Sequence, residues 1–211
     1  MTEQGGRDAG VANMKVSHWA KGGAVRVTPL TPANWRDLEE VLGGNGDGGC
    51  WCMWWRLDDE EYAEQRGEPN KNALKSIVDA GEMPGVIAYV GKQPAGWCSI
   101  GPRDEFTRLE NSPLYRSVDN KPVWTIVCYY ISPAFRGKGL MEHLTRGAVE
   151  LARSQGISIV EAYPVEIPAG ASTAGAYTGI PAVLAKVGFI EVERRTLDRP
   201  IMRYYLDNRE R

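Results

Sequence analysis

The sequence predicts a mixed α+β sandwich, an α/β sandwich with a mostly antiparallel sheet flanked by helices. Three observations carry that expectation. Residues 123–131 and 157–163 are nearly unbroken apolar runs, rich in β-branched and aromatic side chains, and read as central strands covered on both faces. Between them Leu140, Leu144, Ala148, Leu151 and Ala152 recur at helical spacing. On either side lie hairpin signatures, residues 85–100 around a Gly91-Lys92-Gln93-Pro94 turn and residues 189–206 around Leu197-Asp198-Arg199.

The other elements follow in order. Residues 1–24 hold many glycines and polar residues without a sustained period and read as a flexible leader, with Trp19 able to dock. Residues 25–211 read as one domain. Residues 25–28 form a short strand. Thr31 and Pro32 then cap a helix carrying Trp35, Leu38, Val41 and Leu42 on one face. Residues 43–49, with five glycines, form a flexible loop. Helices are expected over 58–65 and 70–80, and a long polar loop with one helical turn over 101–121. Gly156 stops the helix that begins near Leu140. Residues 164–177 are a Pro-, Ala- and Gly-rich loop, and 178–187 a short helix closed by Gly188. No internal repeat is visible.

Composition excludes several classes. The 211 residues are 43% hydrophobic and 25% charged, with a net charge of −2 and no basic block, so nucleic acid is not an expected partner. No apolar run is long enough to span a membrane, and no secretory leader stands at the N-terminus, so a cytoplasmic location is expected. Cys50, Cys52, Cys98 and Cys128 read as free thiols. Cys50 and Cys52 form a C-x-C pair, but the two histidines, His18 and His143, stand far apart. No metal site is expected from that spacing.

The informative turn is Arg136-Gly137-Lys138-Gly139, between a buried strand and a long helix. Glycines let backbone N–H groups converge on one point, and a helix N-terminus adds about half a positive charge. Together they make an anion seat suited to a pyrophosphate, with Lys138 nearby. A plain strand-to-helix turn also needs glycine, so these residues alone leave both readings open. The Walker A and dinucleotide spacings are absent.

Arg136, Gly137, Lys138, Gly139 and Leu140 resemble the acyl-CoA loop of the GNAT (GCN5-related) N-acetyltransferases, [RQ]-x-x-G-x-[GA], with Ile131 and Pro133 where that family often has V-x-P. Lys186, Val187, Gly188 and Phe189 resemble its K-x-G-F helix ending. The likeness is strong over residues 85–206. It implies an N-acyltransferase that uses acetyl-CoA or another acyl-CoA as co-substrate, a small-molecule amine as acceptor, and a possible homodimer through the last strands. It implies that backbone N–H groups of Arg136, Gly137, Lys138, Gly139, Leu140 and Met141 hold the pyrophosphate. It further implies that Tyr129, Tyr130 and Ile131 pair with the pantetheine arm between splayed central strands.

Four positions depart from the family pattern. Met141 replaces a small residue, Tyr177 stands where Asn is common, Leu184 where a Tyr acid is common, and Thr125 where some members keep a glutamate base. A non-catalytic acyl-CoA-binding module is therefore the alternative function, and acylation of protein lysines a third.

Acyl transfer to an amine needs a base for the ammonium and an acid for the thiolate. Glu161 interrupts an apolar run, so it faces a polar cavity or a partner; Glu166 follows it. Tyr129, Tyr163 and Tyr177 are candidate acids, with Tyr177 first because it starts the helix that usually supplies the acid. Cys128 has apolar neighbours and no flanking His, which argues against a nucleophile. The unusual C-W-C-M-W-W-R segment, residues 50–56, places Trp54, Trp55 and Arg56 either on an aromatic substrate wall or in a core plug. Trp97 and Gly101-Pro102-Arg103 are candidates for the same pocket.

Overall fold

Residues 17–19, 23–43, 46–172 and 175–207 are described by a computed structural model. Most of the expected leader, and the position of the Trp19 side chain, lie outside the described residues. The strands are β1 (Ser17–Trp19), β2 (Gly23–Pro29), β3 (Gly85–Val90), β4 (Gln93–Pro102), β5 (Trp124–Ile131), β6 (Ile159–Ala162), β7 (Ile190–Thr196) and β8 (Arg199–Tyr205). The helices are α1 (Trp35–Leu42), α3 (Asp59–Glu64), α4 (Glu68–Asp79), α5 (Thr107–Asn111), α6 (Leu140–Ser154) and α7 (Pro181–Val187), and α2 (Gly46–Gly49) is a single tight turn in which Asp47 and Gly48 leave the helical conformation.

Among the described residues the strands make one sheet in the order β1-β2-β3-β4-β5-β6-β8-β7. Every neighbouring pair is antiparallel except β5 and β6, which are joined through α6 and run parallel. That parallel pairing covers only Trp124, Thr125 and Ile126 of β5. From residue 127 onward β5 keeps β4 on one side and loses β6 on the other. The central strands are splayed, and a row of backbone groups on β5 faces the gap.

Burial fixes the two layers. Leu140, Leu144, Ala148, Leu151 and Ala152 of α6 are buried against β2, β3, β4 and β5. Each fully buried Leu of this kind contributes about 2 kcal/mol. The other face carries α1, α4 and the 50–57 segment, with Leu38, Trp51, Leu74 and Trp97 at its centre. Entry to α1 is set by a 3-10 turn, Pro32–Asn34, in which Thr31 N–H donates to Asn34 Oδ1 at 2.7 Å.

Two expected boundaries shift for local reasons. The last helix begins at Pro181 rather than at residue 178, because Gly179 has φ +101 and Pro181 takes the first helical turn. The polar 101–121 stretch holds two short turns instead of one, a 3-10 turn at Arg103–Glu105 and α5. No helix among the described residues is long and apolar enough to cross a membrane.

Candidate functional site

The first half of the site is made of backbone. β5 ends at Ile131, a 3-10 turn spans Pro133–Phe135, and the chain then passes through Gly137 and Gly139 into α6. Both glycines lie in the left-handed region, at φ +68 and φ +82, and a Cβ built on either would meet nothing within 4 Å. Residues with a side chain are strained there, and the space beside them is open. The backbone N–H groups of Gly137, Gly139, Leu140 and Met141 have no backbone acceptor among the described residues. A helix's first N–H groups have no acceptor of their own, and the dipole of α6 adds to their pull on an anion.

These residues line a groove of about 480 Å³. Its floor is Tyr129, Tyr130, Ile131, Arg136, Leu140 and Met141, with the two glycines; Ala176, Tyr177, Ile180 and Val183 form the facing wall. Eight of the nine positions expected to hold the cofactor therefore share one groove. Lys138 is the exception: its Nζ donates to Ala134 O at 2.6 Å, across the turn rather than into the groove. Arg136 Nε donates to Ile131 O at 2.8 Å and fixes the same turn. Met141 fits at the helix start by packing its side chain against the core.

Tyr129 contributes backbone to the groove, not its phenol. Its OH shares a 2.8 Å hydrogen bond with Thr145 Oγ1 inside the core, and burial pushes that phenol well above its ordinary value. Its N–H, on the unpaired edge of β5, donates to Tyr177 O at 2.6 Å.

The second half of the site is made of side chains. A cavity of about 1000 Å³ is walled by Trp54, Trp55, Tyr62 and Tyr115 and by the thiols of Cys50, Cys52 and Cys128. Its charges are Asp47, Asp58 and Asp59 against Arg66, Arg108 and Arg199. Arg108 clamps this wall: its guanidinium lies 3.5 Å over the Trp54 ring, bonds Asp59 Oδ1 at 2.6 Å, and donates to Trp54 O. Tyr177 lines both the cavity and the groove, and is the one residue they share. It is 42% exposed. Burial, then the Asp47 charge, hold its phenol above the ordinary value, with Arg136 opposing, so it is a neutral proton donor at pH 7.

The 50–56 segment divides between the two readings open for it. Trp51 is 2% exposed and stacks on Trp35 at 6.2 Å, as a core plug does. Trp54 is 40% exposed and faces the cavity with Trp55. Trp51 and Cys52 carry φ of 47° and 55°, a left-handed pair of non-glycine residues whose strain is of order 1–3 kcal/mol each. Trp97 helps hold them there, its Nε1 donating to Cys52 Sγ at 3.0 Å. A hydrogen bond that the Cys52 thiol donates to Cys128, together with burial, pushes Cys52 well above its usual value, and burial raises Cys50 as well. These thiols are protonated at neutral pH and poor nucleophiles.

Three expected site residues are corrected. Glu161, a candidate base, is fully buried and lines neither cavity. Arg203 Nε donates to its Oε2 at 2.7 Å, Tyr163 OH donates to Oε1, and Arg103 Nη1 lies 3.7 Å away. A buried carboxylate must be neutralised in this way, and nothing is left over for a substrate. Trp97 is fully buried and given to Cys52. Arg56 stacks on Phe106 at 4.7 Å and pairs with Glu105 at 2.5 Å, outside both cavities. Of the lesser candidates, Glu166 pairs with Arg194 at 3.1 Å, and Tyr163 belongs to the Glu161 cluster. Thr125 lies in register with Glu161, fully buried, its Oγ1 without a partner among the described residues. Arg103 turns inward to Tyr163 and Tyr115 O. No group of three His, Cys, Asp or Glu side chains among the described residues is placed to hold a metal ion.

Sequence reasoning missed Asp47, Tyr62, Arg108, Tyr115 and Arg199. Each lies on a segment with no motif, and only the fold brings these segments together.

Tyr177 thus stands between a groove lined largely by backbone and a cavity walled by side chains. Residues 51–171, more than half the chain, match the acetyltransferase (GNAT) family. The chain belongs to the GNAT acetyltransferase family, and acyl transfer is the chemistry that this membership carries. Solved structures repeat the fold. A GNAT-family acetyltransferase from Listeria monocytogenes is 13% identical with a TM-score of 0.54, over 91% of this chain and 100% of that one. One from Streptococcus agalactiae is 13% identical with a TM-score of 0.53, over 92% and 100%. RimJ from Mycobacterium smegmatis, in complex with CoA-disulfide, is 15% identical with a TM-score of 0.50, over 87% and 83%. No curated protein matches the sequence.

Proposed function

We propose that this chain moves an acetyl or other short acyl group from acyl-CoA to the amine of a small molecule by direct transfer, with residues 25–211 acting as one domain. The observation that carries the reading is that Tyr177 lines both the groove and the cavity. The groove fits CoA on this chain's own features: open space beside two left-handed glycines, helix-end N–H groups without backbone acceptors among the described residues, and a β5 edge with no strand partner beyond Ile126 on that side. Acyl-CoA supplies an activated thioester.

The protein's residues bind and orient it. N–H groups of Gly137, Gly139, Leu140 and Met141 receive the pyrophosphate. The β5 edge at Tyr129 and Ile131 takes the pantetheine arm like a strand partner, and the Tyr129 N–H, once released by Tyr177 O, faces the carbonyl. In the transfer the amine nitrogen bonds to the carbonyl carbon and the C–S bond breaks. The departing sulfur takes a proton from the Tyr177 phenol, and the proton that the nitrogen sheds passes through water to the phenolate and restores it. A cavity of about 1000 Å³ matches a drug-sized acceptor in volume, which favours a small molecule over a protein chain.

Thiol release from acetyl-CoA with a panel of amines tests the reading. Amine-dependent release is expected, with Tyr177→Phe at least about tenfold slower. An unchanged rate in that variant removes Tyr177 as the acid. CoA binding with no turnover on any amine supports the non-catalytic alternative, which rests on Thr125 and Leu184 standing where the family's base and acid are common.

A further inference from the structure

This inference rests on the acyl-transfer reading and names the class of acceptor. The charges around the cavity can be sorted by what already engages them. Asp59 is paired with Arg108 at 2.6 Å. Asp58 Oδ1 accepts from Glu61 N–H at 2.9 Å and caps α3. Arg66 Nε donates to Gly48 O at 2.5 Å. Asp47 and Arg199 remain, each lining the cavity and each without an ion pair or side-chain hydrogen bond among the described residues.

Their positions are complementary. Asp47 is on the glycine-rich turn after α1, and its charge acts on Tyr177, the residue where groove and cavity meet. A carboxylate on the cavity that Tyr177 also lines can receive an ammonium on the acceptor's side of the site. Arg199 enters from another wall, at the start of β8. An unpaired guanidinium there asks for an anion, and its planar fork suits a carboxylate or a phosphate. Trp54, Trp55 and Tyr115 supply the apolar wall of the same cavity.

We propose that the acceptor is a zwitterionic small molecule, its ammonium received by Asp47 near Tyr177, its anionic group held by Arg199, and its apolar body laid on the tryptophan wall. Asp47 then also takes the ammonium proton, directly or through a water, so that the nitrogen attacks as a neutral amine.

The test uses matched pairs of acceptors on the full chain with acetyl-CoA: phenylalanine with phenethylamine, tryptophan with tryptamine, and phosphoethanolamine with ethanolamine. The anion-bearing member of at least one pair should show kcat/KM about tenfold or more above its partner, since a charge-assisted pair contributes on that scale. Which pair separates tells carboxylate from phosphate. Arg199→Gln should collapse that ratio about tenfold, and Asp47→Asn should lower kcat/KM for both members about tenfold or more. Circular dichroism and CoA affinity check that both variants are folded. A preference for the anion-free amines, or an Arg199→Gln loss equal on both members, overturns the proposal. If no amine releases thiol, the acyl-transfer reading fails separately. Tryptophan-fluorescence titration of the CoA-bound protein then decides the acceptor class, and failure of every anion-bearing amine to bind more tightly than its partner overturns it.

Discussion

The groove proposed for CoA and the cavity proposed for the acceptor are built in opposite ways. The groove's floor is backbone: a strand edge, two left-handed glycines and a helix end, all within residues 129–141. The cavity is side chains from the turn after α1, the 50–62 segment, α5, the loop before α7 and the start of β8. A backbone site tolerates most side-chain changes and fails when the chain cannot take its shape. A side-chain site fails one contact at a time. That difference teaches where each half is vulnerable, and it orders the expected effects.

The largest effect on ligand binding is expected from Gly139→Val. A β-branched residue at φ +82 is strained, and its side chain enters the anion seat. CoA affinity by isothermal titration should fall about 100-fold. A loss under threefold would mean that the seat is not there.

Next comes Glu161→Ala, which takes the buried anion away from Arg203 and Arg103 and leaves them only their more exposed partners, Asp119 and Glu110. It should cost about 3 kcal/mol of stability and lower Tm by roughly 10 °C. CoA affinity should hold, because Glu161 lies outside the groove. Weaker CoA binding with unchanged Tm would restore it as a site residue.

Trp54→Ala removes the wall under Arg108 and should raise acceptor KM about fivefold, again without touching CoA affinity. Acceptor kinetics at saturating acetyl-CoA read this directly.

A subtler effect is expected at acid pH. Its hydrogen bonds from Arg203 hold the Asp119 carboxyl below its ordinary value. As pH falls, the unfolded chain therefore binds this proton first. The stabilisation is full above the ordinary carboxylate range and is lost as pH falls through the folded value. Urea midpoints between neutral and acid pH should show a shallower acid limb in Asp119→Asn. Solvent screening at this half-exposed group keeps the effect small.

The smallest effect is expected from Lys138→Ala, about twofold or less on CoA affinity, because Nζ is turned to Ala134 O.

The two halves also differed in how far the sequence showed them. The Arg136–Met141 turn was legible because its geometry is local: glycines in a strand-to-helix turn state their own backbone requirement. The β3 boundaries, 85–90, followed from a clear apolar run ended by a glycine turn. Glu161 was legible as a residue in need of something, since it breaks an apolar strand. That its answer was Arg203 depends on β6 pairing with β8, with Glu161 and Arg203 in register, and pairing across more than forty residues leaves no local mark. For the same reason Trp54 and Trp55 were legible as a cluster, while Arg108 over Trp54 was not. Asp47 was hidden by its surroundings, because five glycines in seven residues read as a loop and say nothing about where a carboxylate points.

The proposed transfer requires groove and cavity to open onto one another at Tyr177. A crystal structure with CoA bound tests this most directly. The pyrophosphate is expected on the N–H groups of Gly137, Gly139, Leu140 and Met141, the pantetheine arm along β5 from Ile131 to Tyr129, and the sulfur within hydrogen-bonding reach of the Tyr177 phenol, facing the Trp54 wall. A sulfur that ends away from Tyr177, with protein closed between it and the acceptor cavity, would contradict it.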